Sequence, residues 1–268
     1  TRIENLNLSG LRLTEAQFAP VLTLPLTKLT LLGSRYPAVL LQRLSALREL
    51  SELTLGSLPD ASYLRTLRQS PPPALTSLIL RQSAFDQKDL AQLQVARLQL
   101  GEARLDETLL TALSHMTALQ SLQLRACISL LESPLFKLCE LPRLQALELT
   151  TTSLNASLVR QLARLSSLTS LTLRCASLTP SSLSPLQLSK APLTALDLRD
   201  NDCLDDSCLP LVAAFPLQTL AIESTGIRTD SDVVQAFARR SGVQLVQSQP
   251  SSGVACHCHS CVVTRNVQ

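Results

Sequence analysis

The 268-residue sequence predicts an α/β solenoid, a coil of parallel strands stacked rung upon rung, with short helices or loops closing each turn on the outer side. Three observations predict it. A leucine pattern, L-x-x-L-x-L, returns ten times along the chain, and it returns at a near-constant interval. The apolar residues, 45% of the chain, are mostly leucine, with no Trp, two Tyr, five Phe and one Met. Such a composition suits one packing solution used many times and not a globular core of mixed shapes.

The matches begin at Ile3-Leu6-Leu8, Leu26-Leu29-Leu31, Leu50-Leu53-Leu55, Leu75-Leu78-Leu80 and Val95-Leu98-Leu100. They continue at Leu119-Leu122-Leu124, Leu144-Leu147-Leu149, Leu168-Leu171-Leu173, Leu193-Leu196-Leu198 and Leu217-Leu220-Ile222. Successive first positions are 23, 24, 25, 20, 24, 25, 24, 25 and 24 residues apart. Val243 to Val246 reads as a degenerate eleventh. In an extended chain alternate residues share a face, so x-L-x-L-x puts leucines on one side and the intervening residues on the other. A single strand cannot bury that leucine face. Stacked copies can, as a parallel sheet with right-handed crossovers.

The remainder of each turn returns along the convex side. Leu158, Leu162 and Leu165 recur at helical spacing after Asn155, a good N-cap. Leu109, Leu110, Leu113 and Met116 do so after Asp106, and Leu209, Val212 and Phe215 after Asp206. Pro71, Pro72 and Pro73 predict an extended loop, and Pro180 and Pro185 are expected to interrupt the eighth return. Near the end, Asp230 is positioned to cap a helix over 231–240, with Val233, Val234 and Phe237 facing the core and Gly242 stopping it. The expected organisation is a repeat domain over 1–247, closed by a cap from about 223, and a polar Cys/His-containing tail over 248–268. The first strand begins at Ile3 without a capping helix, so a neighbour is expected to cover that edge unless a cap preceded it.

These residues resemble the leucine-rich-repeat family, whose consensus runs L-x-x-L-x-L-x-x-N/C-x-L. The later apolar landmark recurs at Leu13, Phe85, Leu105, Leu154, Leu178 and Ile227. The Asn/Cys position holds Leu11, Ser34, Leu58, Ser83, Ala103, Cys127, Thr152, Ala176, Asn201 and Thr225. Only Asn201 keeps the Asn, so a continuous ladder of asparagines is not expected, and Ser, Thr and Cys stand in at places. The partly helical, cysteine-bearing returns are similar to the cysteine-containing subclass found in F-box-type proteins, although these residues contain no F-box. The resemblance implies a right-handed solenoid with a concave parallel sheet that works by protein binding.

Composition narrows the function. Twenty-four basic and 21 acidic residues leave a net charge of +3, without the basic stripe and stacking aromatics of a nucleic-acid binder, so no nucleic acid is expected. No apolar run approaches the length of a membrane span. Of eight cysteines, five lie in the body (Cys127, Cys139, Cys175, Cys203 and Cys208) with no pairing pattern. Free buried thiols in a reducing compartment are expected, hence an intracellular, cytoplasmic setting; a targeting segment ahead of Thr1 stays open. The sequence lacks G-x-S-x-G, H-E-x-x-H and P-loop motifs, and the one body histidine, His115, reads as a surface residue. No catalytic residue and no cofactor is expected.

The concave face is the candidate site. Its side chains are mostly small and polar, and just past the last strand leucine arginine recurs at Arg81, Arg125, Arg174 and Arg199. Together with Arg97, this row is expected to dock an acidic segment of a protein partner, since guanidinium forks match carboxylates. Gln99, Gln123, Glu148, Thr172 and Asp197 lie beside it. The plainer reading is a solvated edge paired with Glu148, Asp197 and Asp200. In the tail, Cys256, Cys258 and Cys261 with His257 and His259 are soft ligands, but adjacent residues cannot all turn toward one tetrahedral ion, and no metal site is assigned. The expected function is a protein–protein interaction module or scaffold. The alternatives are the substrate-recognition part of an F-box-type ubiquitin-ligase adaptor and a structural subunit of a large assembly.

Overall fold

The computed structural model describes residues 2–82, 85–126, 135–150, 154–228 and 231–245. Each leucine pattern forms one strand. The strands are β1 (Asn5–Asn7), β2 (Lys28–Leu31), β3 (Glu52–Gly56), β4 (Ser77–Arg81), β5 (Arg97–Gly101), β6 (Ser121–Arg125), β7 (Ala146–Thr150), β8 (Ser170–Arg174), β9 (Ala195–Asp197), β10 (Thr219–Ala221) and β11 (Gln244–Leu245). They form one parallel sheet in sequence order, so every crossover joins neighbours. At about 4.8 Å per strand, the stack is roughly 48 Å long.

The register is what the leucines require. Leu29, Leu53, Leu78, Leu98, Leu122, Leu147, Leu171, Leu196 and Leu220 pair rung to rung in one line. All are buried in a single continuous core. Burial of each such side chain stabilises by about 1.5–3 kcal/mol, and a slip of one residue would turn the whole column to solvent. The first rung is less well covered. Leu6, Leu8 and Leu13 are only partly buried, and Ile3 and Leu11 are 48% and 47% exposed, because β1 has a neighbour on one side only.

Beyond each strand the chain makes the same turn. The residue two positions after the last strand leucine is left-handed in every described turn: Gly10, Gly33, Ser57, Gln82, Glu102, Ala126, Cys175, Asp200 and Ser224, with φ between 44° and 75°. The equivalent Thr151 lies outside the described residues. Only two of these positions use glycine. At the other seven, a side chain accepts a conformation that costs about 1–2 kcal/mol, held by hydrogen bonds to the next rung such as Glu102 N to Arg125 O (2.9 Å) and Ala126 N to Thr150 O (2.9 Å).

The Asn position shows why the family pattern has degenerated without loss of the turn. Asn201 is 1% exposed. Its Oδ1 accepts from the backbone N–H groups of Ala176 (3.0 Å) and Leu178 (3.2 Å), and its Nδ2 donates to the carbonyls of Leu173 and Leu198 (2.7 Å each) and Arg199 (3.2 Å). Ser34 makes a single equivalent bond, donating to Leu8 O at 2.7 Å. Thr225 donates to Ile222 O and accepts from Ile227 N. Leu58 and Ala176 are simply buried. Ser83, Cys127 and Thr152 lie outside the described residues.

The convex returns carry α1 (Glu15–Phe18), α2 (Val39–Arg43), α3 (Ser62–Gln69), α4 (Gln87–Ala91), α5 (Glu107–Ser114), α6 (Ala156–Leu162), α7 (Pro180–Leu183), α8 (Leu209–Val212) and α9 (Asp232–Ser241). Asp106 and Asn155 cap α5 and α6 as the sequence predicts, each accepting at 2.9 Å from the amide three residues on. Elsewhere the structure corrects the expectation. Pro180 does not interrupt the eighth return; it starts α7 at a position where no N–H is needed, and Pro185 sits inside the following 3₁₀ turn over Ser184–Leu188. Before α8, Asp205 rather than Asp206 is the cap, accepting from Ser207 N at 3.0 Å. Ser231 caps α9, with Asp230 outside the described residues. Val234 is buried and Phe237 partly so, but Val233 is 58% exposed. Two adjacent helical residues point about 100° apart, so only one valine can face the core. Gly242 at φ +67° ends α9, and β11 closes the sheet after it. The 248–268 tail, with Cys256, Cys258 and Cys261, lies outside the described residues.

Candidate functional site: the concave sheet and its arginine edge

The alternation that buries the leucines exposes three parallel columns on the concave face. The first holds Lys28, Glu52, Ser77, Arg97, Ser121, Ala146, Ser170, Ala195 and Thr219 in register. The second continues through Ile79, Gln99, Gln123, Glu148, Thr172 and Asp197. The third runs Gly56, Arg81, Gly101, Arg125, Thr150 and Arg174, and Arg199 lies two residues past Asp197. The predicted site residues are therefore brought onto one surface. Arg81, Arg125 and Arg174 are separated by two rungs each, about 10 Å. Gly101, between Arg81 and Arg125, makes room: a Cβ there would lie 3.4 Å from Arg81 Cγ, so the Arg81 stem rests where a side chain would otherwise stand.

The guanidinium groups are not bare. Arg125 Nε donates to Glu148 Oε1 at 2.8 Å, and that oxygen also accepts from Thr150 Oγ1 at 3.2 Å. Arg174 binds Asp200 Oδ2 through Nε and Nη2 at 3.2 and 2.8 Å. Arg199 grips Asp197 with both arms of its fork, Nε to Oδ1 at 2.9 Å and Nη2 to Oδ2 at 2.6 Å, with Glu223 3.8 Å from Nη1. The Asp197 hydrogen bonds raise the Arg199 pKa above its usual value, so this cation holds its charge throughout the ordinary range. Lys28 and Glu52 form a further pair across β2 and β3. Arg97 is exposed between Ser77 and Ser121 and makes no ion pair among the described residues. Glu223 was not singled out in the sequence. The signal was present, since Glu223 occupies the same post-leucine position as the arginines.

At the C-terminal end of this face a depression of about 160 Å³ opens over β8, β9 and β10, lined by Ser170, Thr172, Ala195, Asp197, Arg199, Thr219 and Ala221. Small side chains form its floor and the Asp197–Arg199 pair one wall. The arrangement offers a shallow, ordered row of donors and acceptors. An acidic group approaching Arg125, Arg174 or Arg199 meets a cation already sharing its charge with a carboxylate, while Arg97 is open to it.

Other reactive groups lie apart from this face. His115 is the C-cap of α5, exposed, with Nδ1 2.6 Å from Thr111 O. Cys139 and Cys203 are exposed, Cys175 is half-buried and only Cys208 is buried; none of the four is in a disulfide. The expectation of buried body thiols therefore holds for one of these four, Cys208, which ends the 3₁₀ turn ahead of α8 on its core-facing side. Cys127 lies outside the described residues. Among the described residues no group of His, Cys, Asp and Glu is placed to hold a metal ion. The Asp197–Asp206 run is dispersed: Asp197 and Asp200 hold arginines and Asp205 caps a turn. No described helix is long and apolar enough to cross a membrane.

No family model matches the sequence, and no curated protein matches it either. Solved structures do. An internalin (inlF) from Listeria monocytogenes superposes with a TM-score of 0.52 at 18% identity, covering 92% of this chain and 81% of that one. TLR13, in its complex with ssRNA13, superposes with a TM-score of 0.54 at 20% identity, covering 83% of this chain; this chain spans about a third of its length, at 36%. At these identities the likeness is one of fold. The chain is a leucine-rich-repeat solenoid of the α/β class, as its single parallel sheet and convex short helices require.

Proposed function

We propose that this solenoid is a protein-interaction module, without catalytic activity, that holds a segment of a partner protein along the concave sheet from β4 to β9. Gln99, Gln123, Glu148, Thr172 and Asp197 form the floor, and Arg81, Arg97, Arg125, Arg174 and Arg199 form the polar side. The observation that carries this reading is the in-register polar surface itself: columns of side chains that the core does not need, repeated at one spacing across six rungs. The partner segment is acidic, taken up first at Arg97 and then by exchange with Glu148 and Asp200 for Arg125 and Arg174. The thiols of Cys139, Cys203 and Cys208, none of them in a disulfide, support a reducing, intracellular setting. The test is quantitative affinity purification from the native cell with wild-type chain, with Arg97→Glu plus Arg125→Glu, and with a convex control, Gln87→Glu. A protein retained by wild type and the control, and at least tenfold depleted by the concave variant, is the expected result. Equal recovery with all three would refute the reading.

A second reading has its own support. The half-exposed Ile3 and Leu11 and the unpaired outer side of β1 suit a structural subunit whose first rung is covered by a neighbour in a large assembly. Co-purification at fixed stoichiometry, lost on Ile3→Asp plus Leu11→Asp, is the outcome that favours it.

A further inference from the structure

The spacing and charge of the concave columns select the shape of what lies on them. Arg97 stands in the first column, and Arg125 stands in the third, one rung on. Four residues of strand separate those columns, about 13 Å. An occupant that meets both arginines spans that width. An extended chain is too narrow, and its same-side residues recur every 6.8 Å or so, about 2 Å out of step with the next rung. A polyproline coil keeps step with alternate rungs, at about 9.3 Å per three residues, yet leaves much of the floor between the two flanks to water. An α-helix, about 10–12 Å across, fills the width, and its pitch departs from the rung spacing by only about 0.6 Å. The first column leaves room for it, since Ser77, Ser121, Ala146, Ser170 and Ala195 are all small beside Arg97.

Charge distinguishes the two ends of this surface. Along β4 to β7, Arg81, Arg97 and Arg125 stand against Glu102 and Glu148, and Arg97 makes no ion pair among the described residues. Along β8 to β10, Asp197, Asp200 and Glu223 outnumber Arg174 and Arg199. The depression of about 160 Å³ opens at that second end, with Ala195 and Ala221 in its floor and Ser170 and Thr219 beside them. We propose, resting on the reading of this sheet as the binding surface, that its occupant is an α-helix of the partner protein laid along the stack. Its acidic end lies over β5 and β6, where its carboxylates meet Arg97 on one flank and Arg125 on the other. Its other end is not acidic and seats one aliphatic side chain in the depression, on Ala195 and Ala221. From β5 to β9 is four rungs, roughly 19 Å, so the acidic residues and the aliphatic one stand about 11–14 helical residues apart. Such a match of opposite charge fixes the direction and register of the helix as much as its affinity.

The experiment screens two phage-displayed peptide libraries of about 16 residues against the full chain. One is carried on the exposed face of a helix within a helical-bundle scaffold. The other is linear, with a proline in every turn's length so that no helix forms. The expected result is enrichment from the helical library of sequences with Asp or Glu clustered at one end and an aliphatic residue at the stated distance. Binding of the selected helix should fall at least tenfold for Arg97→Glu and for Ala195→Trp, which fills the depression, and stay unchanged for the convex Gln87→Glu. Far-UV circular dichroism and the unfolding midpoint verify the fold of each variant, and Ser170→Trp fills the same depression from the neighbouring strand should Ala195→Trp disturb it. Acidic binders that depend on Arg97 and come from the linear library alone would overturn the helix while leaving the concave docking surface standing. Absence of Arg97-dependent binders from both libraries would overturn both. Full binding of the selected helix to a folded tryptophan variant, or selected helices without an acidic end, would overturn the placement proposed here.

Discussion

Replacing Asn201 by Ala removes a side chain that ties two successive turns together from inside. Its Oδ1 satisfies the amides of Ala176 and Leu178, and its Nδ2 serves the carbonyls of Leu173, Leu198 and Arg199. At 1% exposure, water has no ready access to the site. Each buried amide left without an acceptor costs about 1–3 kcal/mol, whereas a carbonyl, with two lone pairs, suffers less. Two stranded amides, eased by local relaxation, therefore give a loss of about 3 kcal/mol, a large part of the 5–15 kcal/mol typical of a folded domain. Asn201→Asp keeps the acceptors and loses the donors, and it brings a buried charge, so it should be at least as damaging. Ser34→Ala, which loses one bond near the first rung, should cost about 1 kcal/mol. The assay is urea unfolding followed by far-UV circular dichroism, comparing midpoints and slopes. Because a solenoid responds locally, Asn201→Ala should also detach a low-urea phase belonging to the last rungs. A loss below about 1 kcal/mol, or a rank order with Ser34→Ala the worse, would refute the reasoning that this side chain replaces missing backbone partners.

Gly226→Ala should destabilise by about 1–3 kcal/mol, since its Cβ would stand 2.6 Å from Leu204 O, a backbone atom of the preceding turn; an unchanged melting temperature would contradict this. Thr108 Oγ1 and the Leu109 amide, at 2.6 and 2.9 Å, hold the Asp106 carboxyl below its ordinary value of 3.8. A depressed folded pKa gives stability that is present above 3.8 and is lost as pH falls through the lower folded value. Asp106→Asn should therefore flatten that part of the acid unfolding curve, and an identical curve would count against the cap. Burial raises the Cys208 thiol pKa, so Cys208 should resist a thiol reagent under native conditions while exposed Cys203 reacts, with Cys208 released only by denaturant; equal native rates by mass spectrometry would contradict that placement.

The strands were legible because burial writes itself into sequence at fixed intervals: a leucine at Leu98, Leu122 or Leu147 is needed wherever a rung has two neighbours. The caps at Asp106 and Asn155 were legible for a similar reason, being local interactions spanning three residues. The left-handed residue in each turn was not, because Ser57, Gln82, Glu102, Ala126 and Asp200 share no side-chain property. Their conformation is imposed by the hydrogen bonds of the stack, and glycine marks it only at Gly10 and Gly33. The choice of Asp205 over Asp206 turned on the start of a 3₁₀ turn, which shifts a cap by one residue. At the candidate site, the arginine column followed from periodicity. Its pairing with Glu148, Asp197 and Asp200 was also legible, as the plainer reading of the edge; Glu223, which approaches Arg199 from the next rung, was not. Val233 was misplaced because Val233 and Val234 are indistinguishable in composition and only the direction of α9 separates them.

The strictly consecutive strand order has a mechanical consequence. No strand is threaded between others, so tension applied at the two ends meets the rungs one after another and never all together. Extension would peel the coil from an end, each step of about 24 residues paying out roughly 80 Å of chain. A molecule built this way yields gradually under load and can rewind from whatever length remains.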